Sequence, residues 1–201
     1  MFKRKLDIVP DYVKGKKVLI IGFLDHKQEK FMERVREKTS EFAYITEKAS
    51  EYKAIDIADA DYEKLRSEGF NVYQQNILEF NKDFENEFDA ITAVNIVDHI
   101  DDLSSFYKNA KMYLKDGGKL IIRDDDPTSI DHFLSRMKGK WHHNDNMLKI
   151  TPGIVRNHAE RYGYKVEEIS YVRPKTEFLD NLMPKSLKNS LCRSFIAVLK
   201  K

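Results

Sequence analysis

The stretch FDAITAVNIVDHIDDLSSFYKNAKMYLKDGGKLIIRDDDP, residues 88–127, decides the architecture. Its opening FDAITAV is apolar with few breaks and rich in branched side chains, which predicts a strand buried on both faces. From Leu103 the period changes. Leu103, Phe106, Tyr107, Ala110, Tyr113 and Leu114 recur at helical spacing and make one apolar face. Asp101 and Asp102 stand just ahead, where the free amides of a helix need an acceptor. Asp116-Gly117-Gly118 then stops the helix and turns the chain, and residues 119–124 make a second strand. Strand, helix and strand of these lengths form a βαβ unit, with a right-handed crossover and parallel strands. In open sheets of this kind ligands bind beyond the carboxyl ends of the strands. The two candidate ligand edges are therefore residues 95–102 and 124–126.

The same reading extends outward. Residues 1–15 are a lead-in punctuated by Pro10 and Gly15, with Leu6, Ile8 and Val13 placed to pack on the domain edge. KKVLIIGF, residues 16–23, is a buried strand ending at Gly22, where the missing Cβ allows close approach of a ligand. Residues 27–40 are charged with Phe31, Met32 and Val35 on one side, a helical pattern; residues 41–51 are ambiguous between helix and irregular structure. YKAIDI, residues 52–57, is a second strand carrying Asp56 near its end. Residues 59–68 form a helix with Asp59 as cap and Gly69 as stop, and residues 70–75 a third strand.

Downstream, residues 129–138 place Ile130, Phe133, Leu134 and Met137 on one helical face. Residues 139–147 are a polar loop carrying Trp141, His142 and His143. Thr151-Pro152 starts a helix, with Thr at the cap and Pro in the first turn, that runs to Tyr162 and stops at Gly163. Residues 164–172 alternate as a strand, 173–193 are a polar insert, and SFIAVL, residues 194–199, is a last strand. No repeat and no second-domain linker interrupts the chain, so residues 1–201 are expected to be one domain.

Composition excludes several classes. A hydrophobic fraction of 41% with 34% charged residues describes a folded chain with a charged surface, not a disordered one. A net charge of +2 gives no electrostatic case for nucleic acid, and no basic patch with interleaved aromatics stands out. No apolar run is long enough to enter and cross a bilayer. The N-terminus lacks the apolar segment of a signal peptide. The single Cys192 excludes an internal disulfide framework and suits a reducing compartment, so a cytoplasmic protein is expected.

Five segments together resemble the class I S-adenosylmethionine-dependent methyltransferase family, over most of the chain from about residue 16 onward. KVLIIG stands where that family has its first strand and glycine-rich loop, and AIDIA where its second strand presents a ribose-binding acid. FDAITAVNIVDHIDD resembles the fourth strand and the turn after it, LKDGGKLII the signature before the fifth strand, and ITPGIVRNHAERYGYKVEEI the late helix. The resemblance implies an α/β fold: a Rossmann-like sandwich on a mostly parallel seven-stranded sheet with an antiparallel last strand. Within the family the likeness is greatest to small-molecule and glycan-cluster methyltransferases, through the long segment between Gly22 and Asp56 and through DDPTSIDHFLSRMKGKWHHNDN, residues 125–146. The chain departs from the pattern in its first loop. Ile20 takes the place of the usual acid, Leu24 the second glycine and His26 the third, and Asn76 stands where an aspartate often meets the adenine.

The resemblance implies a cofactor site for S-adenosylmethionine made of Gly22, Phe23, Leu24, Asp56, Ile57, Asn76, Ile77, Leu78 and Asn95. Asp56 offers paired acceptors for the ribose hydroxyls, Asn76, Ile77 and Leu78 flank the adenine, and Asn95 faces the reactive methyl. His99, His142 and His143 are the candidate catalytic bases, histidine being suited to proton transfer near neutral pH. Asp124, Asp125 and Asp126, with His99, Asp101 or His132, are oxygen-rich enough to suit Mg²⁺, but acid runs more commonly cap or stay solvated, and no metal is expected. The expected activity is methyl transfer to oxygen or nitrogen of a small-molecule acceptor, a sugar or glycan precursor among the candidates. The alternative is a non-catalytic protein of the same fold with a degenerate cofactor loop. A nicotinamide dehydrogenase is disfavoured because GFLDHK lacks the three spaced glycines that admit a pyrophosphate.

Overall fold

Side chains on a strand alternate between the two faces of a sheet, and β1 (Lys17–Ile21) sends Leu19 and Ile21 into one core layer and Val18 and Ile20 into the other. Both layers are apolar, as a parallel sheet covered by helices on each side requires. The computed structural model describes residues 8–24, 31–37, 40–137, 149–172 and 192–201. The remaining strands are β2 (Glu51–Asp56), β3 (Val72–Gln74), β4 (Phe88–Val94), β5 (Leu114–Asp125), β6 (Lys165–Val172) and β7 (Ser194–Lys200). They make one sheet in the order β3-β2-β1-β4-β5-β7-β6. β1 to β5 pair in parallel, and β7 is antiparallel to both of its neighbours. The expected seven-stranded, mostly parallel sheet is thus present.

α1 (Ile8–Val13), α2 (Phe31–Arg36), α3 (Glu41–Lys48) and α4 (Tyr62–Ser67) contribute to one layer, α5 (Leu103–Tyr113) and α7 (Pro152–Arg161) to the other. In the first layer the rings of Phe23, Phe31 and Phe42 lie within 5.6 Å of one another, centroid to centroid. In the second, Tyr107 of α5 stacks on His158 and Tyr162 at 5.6 and 5.7 Å. Strand order reverses between β1, which pairs with β2 on one side, and β4 on the other. That switch point is where a crevice opens at the carboxyl edge of such a sheet.

Several element boundaries differ from the sequence reading, each for a local reason. Asp61, not Asp59, caps α4, its carboxylate accepting the Lys64 N–H. Residues 41–48 are helical because the Ser40 hydroxyl accepts the Ala43 N–H and opens α3. β5 begins at Leu114, which already pairs with Phe88; Asp116-Gly117-Gly118 is an excursion inside the strand before pairing resumes at Lys119. Gly118 is tight there, since a Cβ would lie 2.9 Å from the Lys115 carbonyl oxygen. Asp102 and Thr151 cap α5 and α7 as expected. On α6 (Ile130–Met137) the apolar face is turned outward, with Phe133, Leu134 and Met137 exposed. No helix among the described residues is long and apolar enough to cross a membrane.

One charged contact is built into the core. Arg123 points from β5 toward α3 and its Nη1 lies 2.7 Å from Glu41 Oε2, with side chains 3% and 12% exposed. Breaking such a pair leaves a desolvated charge behind. Glu41→Ala is therefore expected to lower unfolding free energy by about 3 kcal/mol, read from the midpoint of urea denaturation, whereas an exposed control, Glu160→Ala at a pair 4.0 Å apart, should move it little.

Candidate functional site

At the end of β1 the chain turns at Gly22 with φ +72°. Its N–H donates to the Ile55 carbonyl at 2.9 Å, tying the loop to β2. A Cβ at this position would sit 2.7 Å from Ile96 Cγ1, beyond the end of β4. Glycine is thus required twice, for the left-handed backbone and for the close approach. At the end of β4, Asn95 also has positive φ, +50°, and its N–H donates to the Arg123 carbonyl at 2.8 Å. A non-glycine residue held there is a local strain of the kind that clusters at ligand sites.

Asp56, at the end of β2, faces this loop. Its Oδ2 accepts the Leu24 N–H at 2.9 Å and its Oδ1 the Ala58 N–H at 3.0 Å. The Tyr62 hydroxyl lies 3.2 Å from the Asp56 carbonyl and 2.9 Å from that of Ala58, bracing the strand end. An ionised carboxylate has about four lone-pair sites, so acceptor capacity for a pair of hydroxyls remains. Ile57 beside it is 69% exposed. Across β3, the Asn76 Oδ1 accepts the Leu78 N–H at 3.0 Å, so its amide NH₂ is the group left to meet a ligand.

Two expected cofactor residues are placed otherwise. Phe23 is buried in the aromatic group with Phe31 and Phe42, because the chain after Gly22 folds back over the α-helical layer. Ile77 is 5% exposed in the opposite layer, and its carbonyl accepts the Asn109 amide at 2.8 Å. Both side chains belong to the core, not to the cleft. Leu24 and Leu78 are half-buried, and Leu24 packs on the helical layer while its N–H is held by Asp56.

His99 ends a single 3-10 turn, Val97–His99, directly beyond β4. Its Nε2 lies 3.6 Å from Asp98 Oδ1, outside hydrogen-bond range. The Asp98 N–H donates to Asp124 Oδ2 at 3.3 Å and the Asp125 N–H to Asp124 Oδ1 at 2.9 Å. Asp98 and Asp124 are both buried. Burial pushes the Asp98 carboxyl above its ordinary value, with Asp125 adding repulsion and His99 and Lys149 opposing it. Burial pushes Asp124 up to about 7, with the Asp98 charge adding to the shift and the two N–H donors opposing it. The run Asp124–Asp126 is split. Asp125 accepts the Ser194 hydroxyl at 2.6 Å and pairs with Arg193 Nε at 3.4 Å, while Asp126 Oδ1 holds the Thr128 N–H and hydroxyl. His132 Nδ1 lies 2.8 Å from Ser129 Oγ and 2.9 Å from the Asp126 carbonyl, and Asp101 Oδ1 accepts the Asp102 N–H. Among the described residues no three potential metal ligands converge. His142 and His143 lie outside the described residues.

Sequence reasoning missed Ile96, Asp98 and Tyr62. Ile96 and Tyr62 carry no signal beyond an apolar pattern. Asp98 could have been noticed as an acid standing between the apolar Val97 and Ile100.

An open sheet with this order, its glycine turn at the switch point and an acid ending the neighbouring strand define the Rossmann-like class I methyltransferase architecture. A family model described as "Methyltransferase domain" matches residues 50–172. The chain therefore belongs to the methyltransferase domain family. The match begins just ahead of β2 and leaves out β1 and its loop. No curated protein matches the chain. Among solved structures, a SAM-dependent methyltransferase of Archaeoglobus fulgidus superposes with a TM-score of 0.64 at 18% identity, covering 96% of this chain and 89% of that one. One from Aquifex aeolicus gives 0.61 at 14%, covering 96% and 87%, and one from Mesorhizobium loti 0.59 at 14%, covering 94% and 93%.

S-adenosylmethionine is the cofactor, and the residues present fit it: the cradle at Gly22, the acceptor capacity of Asp56, the exposed Ile57 and the Asn76 amide. Gly22→Ala should cost about 1–2 kcal/mol of stability from the left-handed backbone alone and close the cradle. Adding Ile96→Ala should recover part of the packing loss but not the backbone strain, a difference that thermal melts of the single and double variants resolve. The raised Asp124 carboxyl makes a second prediction. Its stabilising contribution is full below the ordinary carboxylate range and is lost as pH rises through about 7. The melting temperature of the wild type minus that of Asp124→Asn should therefore fall between about pH 5 and about pH 8.

Proposed function

We propose that this chain moves the methyl group of S-adenosylmethionine to an oxygen or nitrogen of a small-molecule acceptor, with a sugar or glycan precursor as the leading class. The observation that carries the site assignment is the convergence of three strand ends: Gly22 against Ile96, and Asp56 holding the Leu24 N–H. The sugar class rests on the likeness of residues 125–146 to substrate-side segments of glycan-cluster enzymes. The single buried Cys192 supports a cytoplasmic enzyme.

When bound, S-adenosylmethionine supplies a methyl group already activated on a sulfonium. The chain's task is then alignment and exclusion of water. Asp56 takes the ribose hydroxyls, and the Asn76 amide with Leu78 meets the base edge. Asn95, with its positive φ at the end of β4, would face the reactive methyl. His99, one turn beyond it, takes the acceptor proton when the acceptor is a weakly acidic hydroxyl. An amine acceptor arriving neutral needs no base for the transfer itself.

Calorimetric titration with S-adenosylmethionine and S-adenosylhomocysteine tests the reading. The expected result is micromolar binding that weakens at least about tenfold in Asp56→Ala, the loss of a charged hydrogen-bonding group. A folded wild type that binds neither ligand would favour the alternative of a non-catalytic protein of this fold. With binding in hand, turnover of a panel of sugars and amines, scored as S-adenosylhomocysteine released, identifies the acceptor.

A further inference from the structure

Two carboxyls are buried at the reacting edge without a role in holding the cofactor. Asp124 follows Arg123, whose carbonyl takes the Asn95 N–H, and the Asp98 N–H rests on Asp124. Between Asn95 and Asp98 stands Ile96, the residue against which Gly22 is packed. The pair therefore lies beside the β1–β4 crevice, with Asp98 at most about 11 Å along the chain from Asn95. Asp98 Oδ1 is buried and has no hydrogen-bond partner among the described residues. A desolvated oxygen without a donor is costly when charged, and within the protein its field reaches a neighbouring charge with little screening.

We propose that the Asp98–Asp124 pair distinguishes the charged cofactor from its uncharged product, holding an extra proton when the site is empty or carries S-adenosylhomocysteine and releasing it when the site carries the sulfonium of S-adenosylmethionine. This rests on the cofactor site being the one at Gly22, Asp56 and Asn95. The fixed positive charge of the sulfonium favours the ionised pair. Transfer removes that charge: the S–CH₃ bond breaks with its electron pair left on sulfur, a lone pair of the acceptor forms the new bond, and the acceptor gives up its proton. The pair then takes up one proton, so the charge at the edge is restored and the spent product no longer enjoys the attraction.

The groups facing the pair fit this role. His99 Nε2, 3.6 Å away, and Lys149 bear on Asp98 from the positive side and Asp125 from the negative. Asp98 and Asp125 bear on Asp124. Asp125 is itself offset by Arg193. Burial outweighs these contributions for both carboxyls, and the shift of Asp124 to about 7 puts the exchange within the physiological range.

The test is calorimetric binding of both ligands to the full chain at about pH 6 and about pH 8, in two buffers of different ionisation enthalpy so that protons are counted. The sulfonium charge makes the α-amino group of S-adenosylmethionine more acidic than that of S-adenosylhomocysteine, so the share of the wild-type slope that belongs to the pair is the share that Asp124→Asn removes. The wild type should favour S-adenosylmethionine over S-adenosylhomocysteine about tenfold more at the higher pH, as one exchanged proton allows, and should release more protons with the former. Asp124→Asn should flatten the ratio. Asp98→Asn serves in its place if that variant does not fold. Tight binding of both ligands with a flat ratio, or a slope that survives Asp124→Asn in a folded variant, overturns the proposal and leaves the cofactor site standing. Binding of neither ligand by the folded wild type overturns both.

Discussion

The approach of Gly22 to Ile96 is the constraint on which the site depends. The ends of β1 and β4 come so close that a single methyl group would lie 2.7 Å from the neighbouring side chain. With that spacing, the loop after Gly22 is drawn over β2 rather than away from it. Its next free N–H, that of Leu24, then meets the Asp56 carboxylate. Leu24 packs on the helical layer while the acid holds its N–H.

Neighbouring residues of β5 show how a pleated strand separates opposite electrostatic demands. Arg123 turns to the α3 layer, where Glu41 meets it 2.7 Å away. Asp124 turns to the other face and meets the backbone N–H groups of Asp98 and Asp125. The two side chains are one residue apart in sequence, yet they neutralise different things. Had they faced the same layer they would have paired with each other, since opposite charges so close in a buried setting attract strongly. Alternation prevents this, and the Asp124 carboxyl stays protonatable near neutral pH because it is buried and, second, because its companion is another acid.

α6 follows β5 directly and presents Phe133, Leu134 and Met137 outward. Among the described residues the strand ends are braced by Tyr62 under the end of β2, by the aromatic group around Phe23, and by Asn109 reaching from α5 to the Ile77 carbonyl. Rigid placement of a reactant suits chemistry that is mainly alignment.

Much of this was legible along the chain. Apolar period, helix caps at Asp102 and Thr151, and the glycines at the turns are local signals, so the strand–helix alternation and the parallel sheet could be read from the residues themselves. Asp56 and Asn95 could be placed at strand ends, where the structure has them, because the βαβ unit dictates the direction of the strands. Side-chain facing at the loop after Gly22 was not legible, and Phe23 and Ile77 look from sequence like site residues although both pack inward. Nor did a strand boundary at Leu114 show, since a bulge is set by the partner strand. The sequence by itself determined the class of fold and the residues at the carboxyl ends of the strands, because each follows from local periodicity and chain direction. Only the tertiary structure decided that Ile96 caps Gly22, that Leu24 is held by Asp56 and that Asp98 and Asp124 share one buried place. Those contacts join segments distant in the chain, and which of them meet is settled by how the layers close over the sheet.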